Sequence, residues 1–165
     1  MPKRAEHWFT ALLLLLLGGC GGQPDTGPVD IKWDRQACER CRMVLSDRHF
    51  SAQIRGGPGH RPYFFDDFGC AVLWLEEQPW KDDPGVEFWV ADHRTGAWLD
   101  ARKAYYRGGR HTPMAYGLGA EDAAGEGMID YEQAVRRVHE VEEGFNRRAQ
   151  ELREQALAIQ SQQKR

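Results

Sequence analysis

Residues 61–76 read RPYFFDDFGCAVLWLE, and the fold turns on how this run is divided. Its aromatic beginning, 61–65, reads as a β-strand. Two carboxylates follow, and Asp66 or Asp67 can cap a helix by accepting backbone N–H groups of its first turn. Ala71, Val72, Trp74 and Leu75 then share one side at helical spacing, so the helix runs to about residue 78 with that side buried. Upstream, 50–54 is a second strand, joined to 61–65 by the Gly56-Gly57-Pro58-Gly59 turn, and downstream 86–91 is a third. The pattern then comes round again. Strands at 98–106 and 114–120 precede a helix opening at Asp130, with Gln133 three places on in capping-box spacing. This order predicts an α+β protein of two small ββαβ-like units, about 31–92 and 93–145, related as a degenerate repeat and followed by a C-terminal helix extension.

The last helix has an apolar stripe at Ala134, Val138, Val141 and Phe145, which weakens through Ala149, Leu152, Ala156 and Ile159. A stripe that weak buries little surface, so 146–165 is expected as a charged helical or disordered tail rather than a partner-binding coiled coil.

The N-terminus reads as a lipoprotein signal. Lys3 and Arg4 precede an apolar stretch of about ten residues, well short of the roughly 20 that span a bilayer. Leu17-Gly18-Gly19-Cys20 resembles the bacterial lipobox, where the signal is cut before the cysteine and its thiol is lipidated. Residues 1–19 are thus expected as signal peptide, Cys20 as the lipidation site, and 20–30 as a flexible tether without core residues. Gly21, in place of an aspartate, slightly favours the outer membrane.

The remainder is the length of one ordinary domain. Its charges nearly balance, 22 Lys and Arg against 25 Asp and Glu over the whole chain, which argues against nucleic-acid binding. With Cys20 lipidated, Cys38, Cys41 and Cys70 are left, an odd number in an oxidising compartment that a pure disulfide framework does not fit.

Residues 38–43, CERCRM, carry the most chemistry. Cys38 and Cys41 at this separation can place both sulfurs on one centre, as a disulfide staple, half of a structural zinc site, or a redox pair. Met43 adds a soft neutral thioether, which zinc and hard cations seldom use and monovalent copper accepts. Asp66-Asp67 reads as a helix cap in preference to a ligand pair. Cys70 reads as a buried structural thiol, and His111 as a solvated loop histidine.

CERCRM, then FSAQI at 50–54, FDDFGC at 65–70, WLDARKAYY at 98–106 and TPM at 112–114 together resemble the NosL family, copper-carrying lipoproteins that serve maturation of nitrous oxide reductase. The resemblance runs from about residue 33 to 138. It implies a periplasmic, lipid-anchored protein with two ββαβ-like units that binds one monovalent copper ion, Cu(I). Cys38 and Cys41 are then thiolate ligands, and Met43 and Met114 thioether ligands approaching from the two units. The implied partners are nitrous oxide reductase with its transporter or maturation proteins. Arg42 and Ala115 stand where the family generally has glycine, and a side chain at either place makes a positive φ more costly.

No Ser-His-Asp order, phosphate loop or paired catalytic carboxylates can be assembled, so the chain is expected not to be an enzyme. The alternative is a periplasmic thiol-disulfide oxidoreductase using Cys38 and Cys41, a chemistry with no use for thioethers.

Overall fold

A computed structural model describes residues 25–163, so the expected signal peptide and Cys20 lie outside the described residues. The protein is α+β, with two small antiparallel sheets, one short helix and one long C-terminal helix.

The first sheet has strand order β2-β1-β3-β4 and contains β1 (Ala52–Gly56), β2 (Arg61–Phe65), β3 (Glu87–Ala91) and β4 (Trp98–Asp100). Ala52 pairs with Phe65 and Val90, and Ile54 with Tyr63 and Phe88, so these six side chains share one face. Helix α1 (Phe68–Glu76) covers that face: Trp74 meets the rings of Tyr63 and Phe65, and Phe68 stacks on Phe88. The strand, cap and helix expected over 61–76 are all present, with Asp67 as the N-cap accepting from the Gly69 N–H at 3.0 Å.

The other face carries Gln53, Arg55 and Glu87, and it receives the N-terminal segment. Val29 exchanges two hydrogen bonds with the Gln53 amide, Arg55 Nε donates to the Gly27 carbonyl, and the Gly27 N–H donates to Glu87. Val29 is buried in the core, so the expectation that 20–30 is a tether without core residues is corrected: from Gly27 onward the chain is docked on the sheet.

The stretch 98–106, expected as one strand, is divided between the two sheets. Trp98–Asp100 pairs with β3, Asp100 then accepts from the Arg102 N–H through its side chain and from Ala104 through its backbone, and the chain turns. The first sheet therefore continues past residue 92 to Asp100. The second sheet, order β6-β5-β7, contains β5 (Tyr105–Arg107), β6 (Gly119–Glu121) and β7 (Met128–Ile129). The strand expected over 114–120 is reduced to its end, because Ala115 and Gly117 both take positive φ and bend the backbone away from any ladder.

Helix α2 (Tyr131–Gln163) opens with the expected capping box: the Gln133 N–H donates to Asp130 Oδ1 at 2.8 Å, and the Asp130 N–H to Gln133 Oε1 at 3.1 Å. Ala134 and Val138 are fully buried, whereas every described residue from 146 onward is exposed. Tyr106 and Tyr131 carry the second unit onto the first through the rings of Phe68 and Phe88.

Candidate metal centre

The CERCRM segment is a loop closed by its own backbone. The Cys38 N–H donates to the Met43 carbonyl at 2.8 Å, the Arg42 N–H to the Cys38 carbonyl at 3.1 Å, and Ala37 bridges Val44. Arg42 sits at φ +66, the left-handed conformation that closes the turn, where glycine would be unstrained. The Glu39 N–H donates to the Phe64 carbonyl at 2.9 Å, which fixes the loop to the end of β2. That contact delivers Cys38 and Cys41 to the junction between β2 and α1, where Asp66 and Cys70 are waiting.

Four donor atoms meet there. The sulfurs of Cys38, Cys41 and Cys70 and a carboxylate oxygen of Asp66 all lie within 4.8 Å of one another. Cys38, Cys70 and Asp66 are buried, and Cys41 is the outermost member. No disulfide joins the three cysteines, and the Cys41 thiol donates to both Asp66 oxygens, at 3.4 and 3.2 Å. A donated hydrogen bond from the Cys70 thiol pulls the Cys38 thiol down to about 7 against its burial, helped by the N–H groups of Cys41 and Asp66. Burial and the neighbouring Cys38 and Asp66 push Cys41 up to about 12. Cys70 is pushed far above the ordinary thiol range by the bond to Cys38 and by burial. Cys38 is thus the most readily ionised of the three thiols, and a metal must displace the remaining protons to engage all three sulfurs.

Two readings from the sequence are narrowed here. Asp66 is not a cap; that role belongs to Asp67 alone, and Asp66 belongs to the sulfur cluster. Cys70 is buried, as expected, and its sulfur lies with those of Cys38 and Cys41. As the third residue of α1, its side chain leans toward the helix N-terminus, the end at which Asp66 and the loop stand. That lean was a usable signal: once Asp67 is the N-cap, Asp66 and Cys70 must face the same terminus.

Asp67 has a second task. Fully buried, it accepts from Thr112 Oγ1 at 2.6 Å and from the Met114 N–H at 3.0 Å in addition to capping α1. It thereby ties the TPM loop to the helix that carries Cys70. Ala115, next in that loop, takes φ +60, the second place where glycine would be unstrained.

The structure brings Cys38 and Cys41 together with Cys70 and Asp66. Met43 is 49 % exposed, while Met114 is half-buried against the core. His111 is exposed. Among the described histidines, His60, His93 and His139 each pair with a carboxylate, Glu87, Glu121 and Glu76, and none belongs to the cluster.

A polar link closes the neighbourhood from the other side. Arg40, inside the loop, bonds Glu142 of α2 at 2.8 Å and the Tyr116 hydroxyl at 3.2 Å, and Tyr116 donates to Glu142 at 2.7 Å. Burial raises the Glu142 pKa, but the bonds from Tyr116 and Arg40 outweigh it and hold the carboxyl below its usual range. The Tyr116 ring lies on Gly69, where any Cβ would overlap it.

No protein-family model matches the chain, and no curated protein matches it.

Proposed function

We propose that the chain is a lipid-anchored periplasmic carrier of monovalent copper, which it delivers for assembly of the copper centres of nitrous oxide reductase. The observation that carries the copper reading is the convergence of three thiols at one point that grades toward solvent. Cys38 and Cys70 lie at its floor and Cys41 at its rim, and the loop that carries Cys38 and Cys41 also carries the half-exposed Met43. Monovalent copper is a soft ion with no strict geometry, content with a few sulfur donors. A graded set of this kind suits cargo that must be handed over by ligand exchange, one donor at a time. The anchor and the recipient rest on the lipobox and on the NosL-like motifs.

The decisive measurement is anaerobic titration of the reduced full chain in detergent with monovalent copper against a calibrated chelator. One ion per chain, bound through sulfur, supports the carrier; negligible copper uptake overturns it. Fractionation of Cys20→Ser cells tests the anchor separately, since a variant that stays in the membrane fraction would sink the lipobox reading.

A second reading, thiol-disulfide exchange, has one feature in its favour: the Cys38 thiol is pulled down to about 7 by its bond from Cys70. Against it, that same sulfur is fully buried, so a protein disulfide could not reach it for in-line attack. Reduction of a model disulfide faster than by free dithiol would restore this reading.

A further inference from the structure

The cluster holds a donor that the copper reading leaves idle. Asp66 is 3 % exposed, yet its carboxylate stands with the three sulfurs. Monovalent copper has little use for a hard oxygen donor, whereas zinc binds thiolates and carboxylates alike in closed tetrahedral sites. We propose that Cys38, Cys41, Cys70 and Asp66 form a four-coordinate site for a divalent thiophilic cation, zinc above all, with Asp66 as the fourth ligand. The proposal rests on the cluster being a metal site and is independent of the copper assignment.

Geometry, count and charge point the same way. Zinc takes sulfur at about 2.3 Å and oxygen at about 2.0–2.2 Å, so its tetrahedral ligand atoms sit roughly 3.5–3.8 Å apart. Cys41 is already 3.2 and 3.4 Å from the Asp66 oxygens, and no pair exceeds 4.8 Å, so closing the tetrahedron takes a contraction of about an ångström. Four donors complete the shell without a water. Three thiolates and a carboxylate also leave less uncompensated charge in a buried site around a doubly charged ion than around a singly charged one. The N–H groups of Cys41 and Asp66 that bond Cys38 supply the outer support that orients a metal-bound sulfur. In this scheme the two ions share thiolates and differ in the remaining donor: a carboxylate for zinc, a thioether for copper.

The test uses the reduced full chain in detergent without oxygen. Zinc and monovalent copper are each titrated against chelators, and cobalt(II) replaces zinc as a spectroscopic probe. The expected results are one zinc per chain and a tetrahedral cobalt spectrum with thiolate charge-transfer bands. Asp66→Asn should weaken zinc by about tenfold or more, about 1.4 kcal/mol, and copper by less than about threefold. The Met43→Leu, Met114→Leu double variant should do the reverse. Zinc affinity unchanged in folded Asp66→Asn overturns the proposal and leaves the copper carrier standing. An equal loss of both metals also overturns it, because Asp66 would then only support the fold. Should Asp66→Asn not fold, the cobalt spectrum of the unaltered chain decides: tetrahedral bands with sulfur and oxygen donors support the site, and an octahedral spectrum rejects it. Failure of zinc, cobalt and copper alike removes both this proposal and the copper reading.

Discussion

The two loops that carry the methionines are each closed by a backbone bond of their own, Cys38 N–H to Met43 in one and Ala115 N–H to Thr112 in the other, and differ in how they are held from outside. The loop at 38–43 is closed by its own backbone, through Cys38 and Met43, and the Met43 side chain stands about half exposed. The loop at 112–115 is held from outside by the buried carboxylate of Asp67, which grips Thr112 and the Met114 N–H. Both set a left-handed, non-glycine residue beside the methionine, Arg42 before one and Ala115 after the other. The first loop is fixed at Glu39 to the end of β2 and leaves Met43 half exposed; the second is fixed by a buried side chain to the helix that bears Cys70, with Met114 packed against the core. On the copper reading, Met43 is the mobile donor and Met114 the stationary one.

Breaking the clamp has the largest expected effect. Asp67→Ala removes the α1 cap and strands the Thr112 hydroxyl and Met114 N–H, so it should cost about 3 kcal/mol, read as a lower urea midpoint. A midpoint within about 0.5 kcal/mol of the original would mean that the second loop, like the first, holds itself. Gly69→Ala presses a methyl group into the Tyr116 ring and should destabilise by about 1–3 kcal/mol, through the loop that follows Met114.

Copper binding sharpens the contrast. Cys38→Ser or Cys41→Ser should weaken it by more than about tenfold, at least about 1.4 kcal/mol, in a chelator competition. Met114→Leu and Met43→Leu keep volume and apolar character, so both should stay folded by circular dichroism. Each should weaken copper binding or speed its loss by less than the cysteine variants do. Met43→Leu should act mainly on the transfer rate to an acceptor, as befits the mobile donor. Equal, unchanged affinities and rates in both, and in the double variant, would reduce the site to its thiols.

The smallest effect should be favourable. Arg42→Gly and Ala115→Gly relieve left-handed strain and should each stabilise by roughly 0.5–1 kcal/mol in denaturant unfolding. Destabilisation by either would show that the side chain repays its strain in contacts.

What could be read from the sequence was what is local. An aromatic strand, a capping aspartate and a helical stripe follow one another within 61–76, and the capping box at Asp130 needs only four residues. The division at Asp100 is not legible because apolar residues continue across it, and the break is made by one side chain accepting from the backbone two residues on, the Arg102 N–H. Asp66 and Asp67 are adjacent and chemically identical. Only the arrival of Cys41 from 25 residues away and of Thr112 from 45 residues away gives them different work. The docking of Gly27 and Val29 is not legible because their partners, Arg55 and Glu87 for Gly27 and Gln53 for Val29, are polar residues of the kind usually left to solvent.

The docking of Gly27 and Val29 on the first sheet sets a leash. With a lipid on Cys20, only the seven residue steps from 20 to 27 separate the membrane from the folded body, about 25 Å at full extension. That is less than the width of a small domain. On the proposed function, a cargo site on so short a leash would not roam the compartment in search of an acceptor; it would patrol a thin layer at the bilayer surface, and whatever takes the ion would have to come there to collect it.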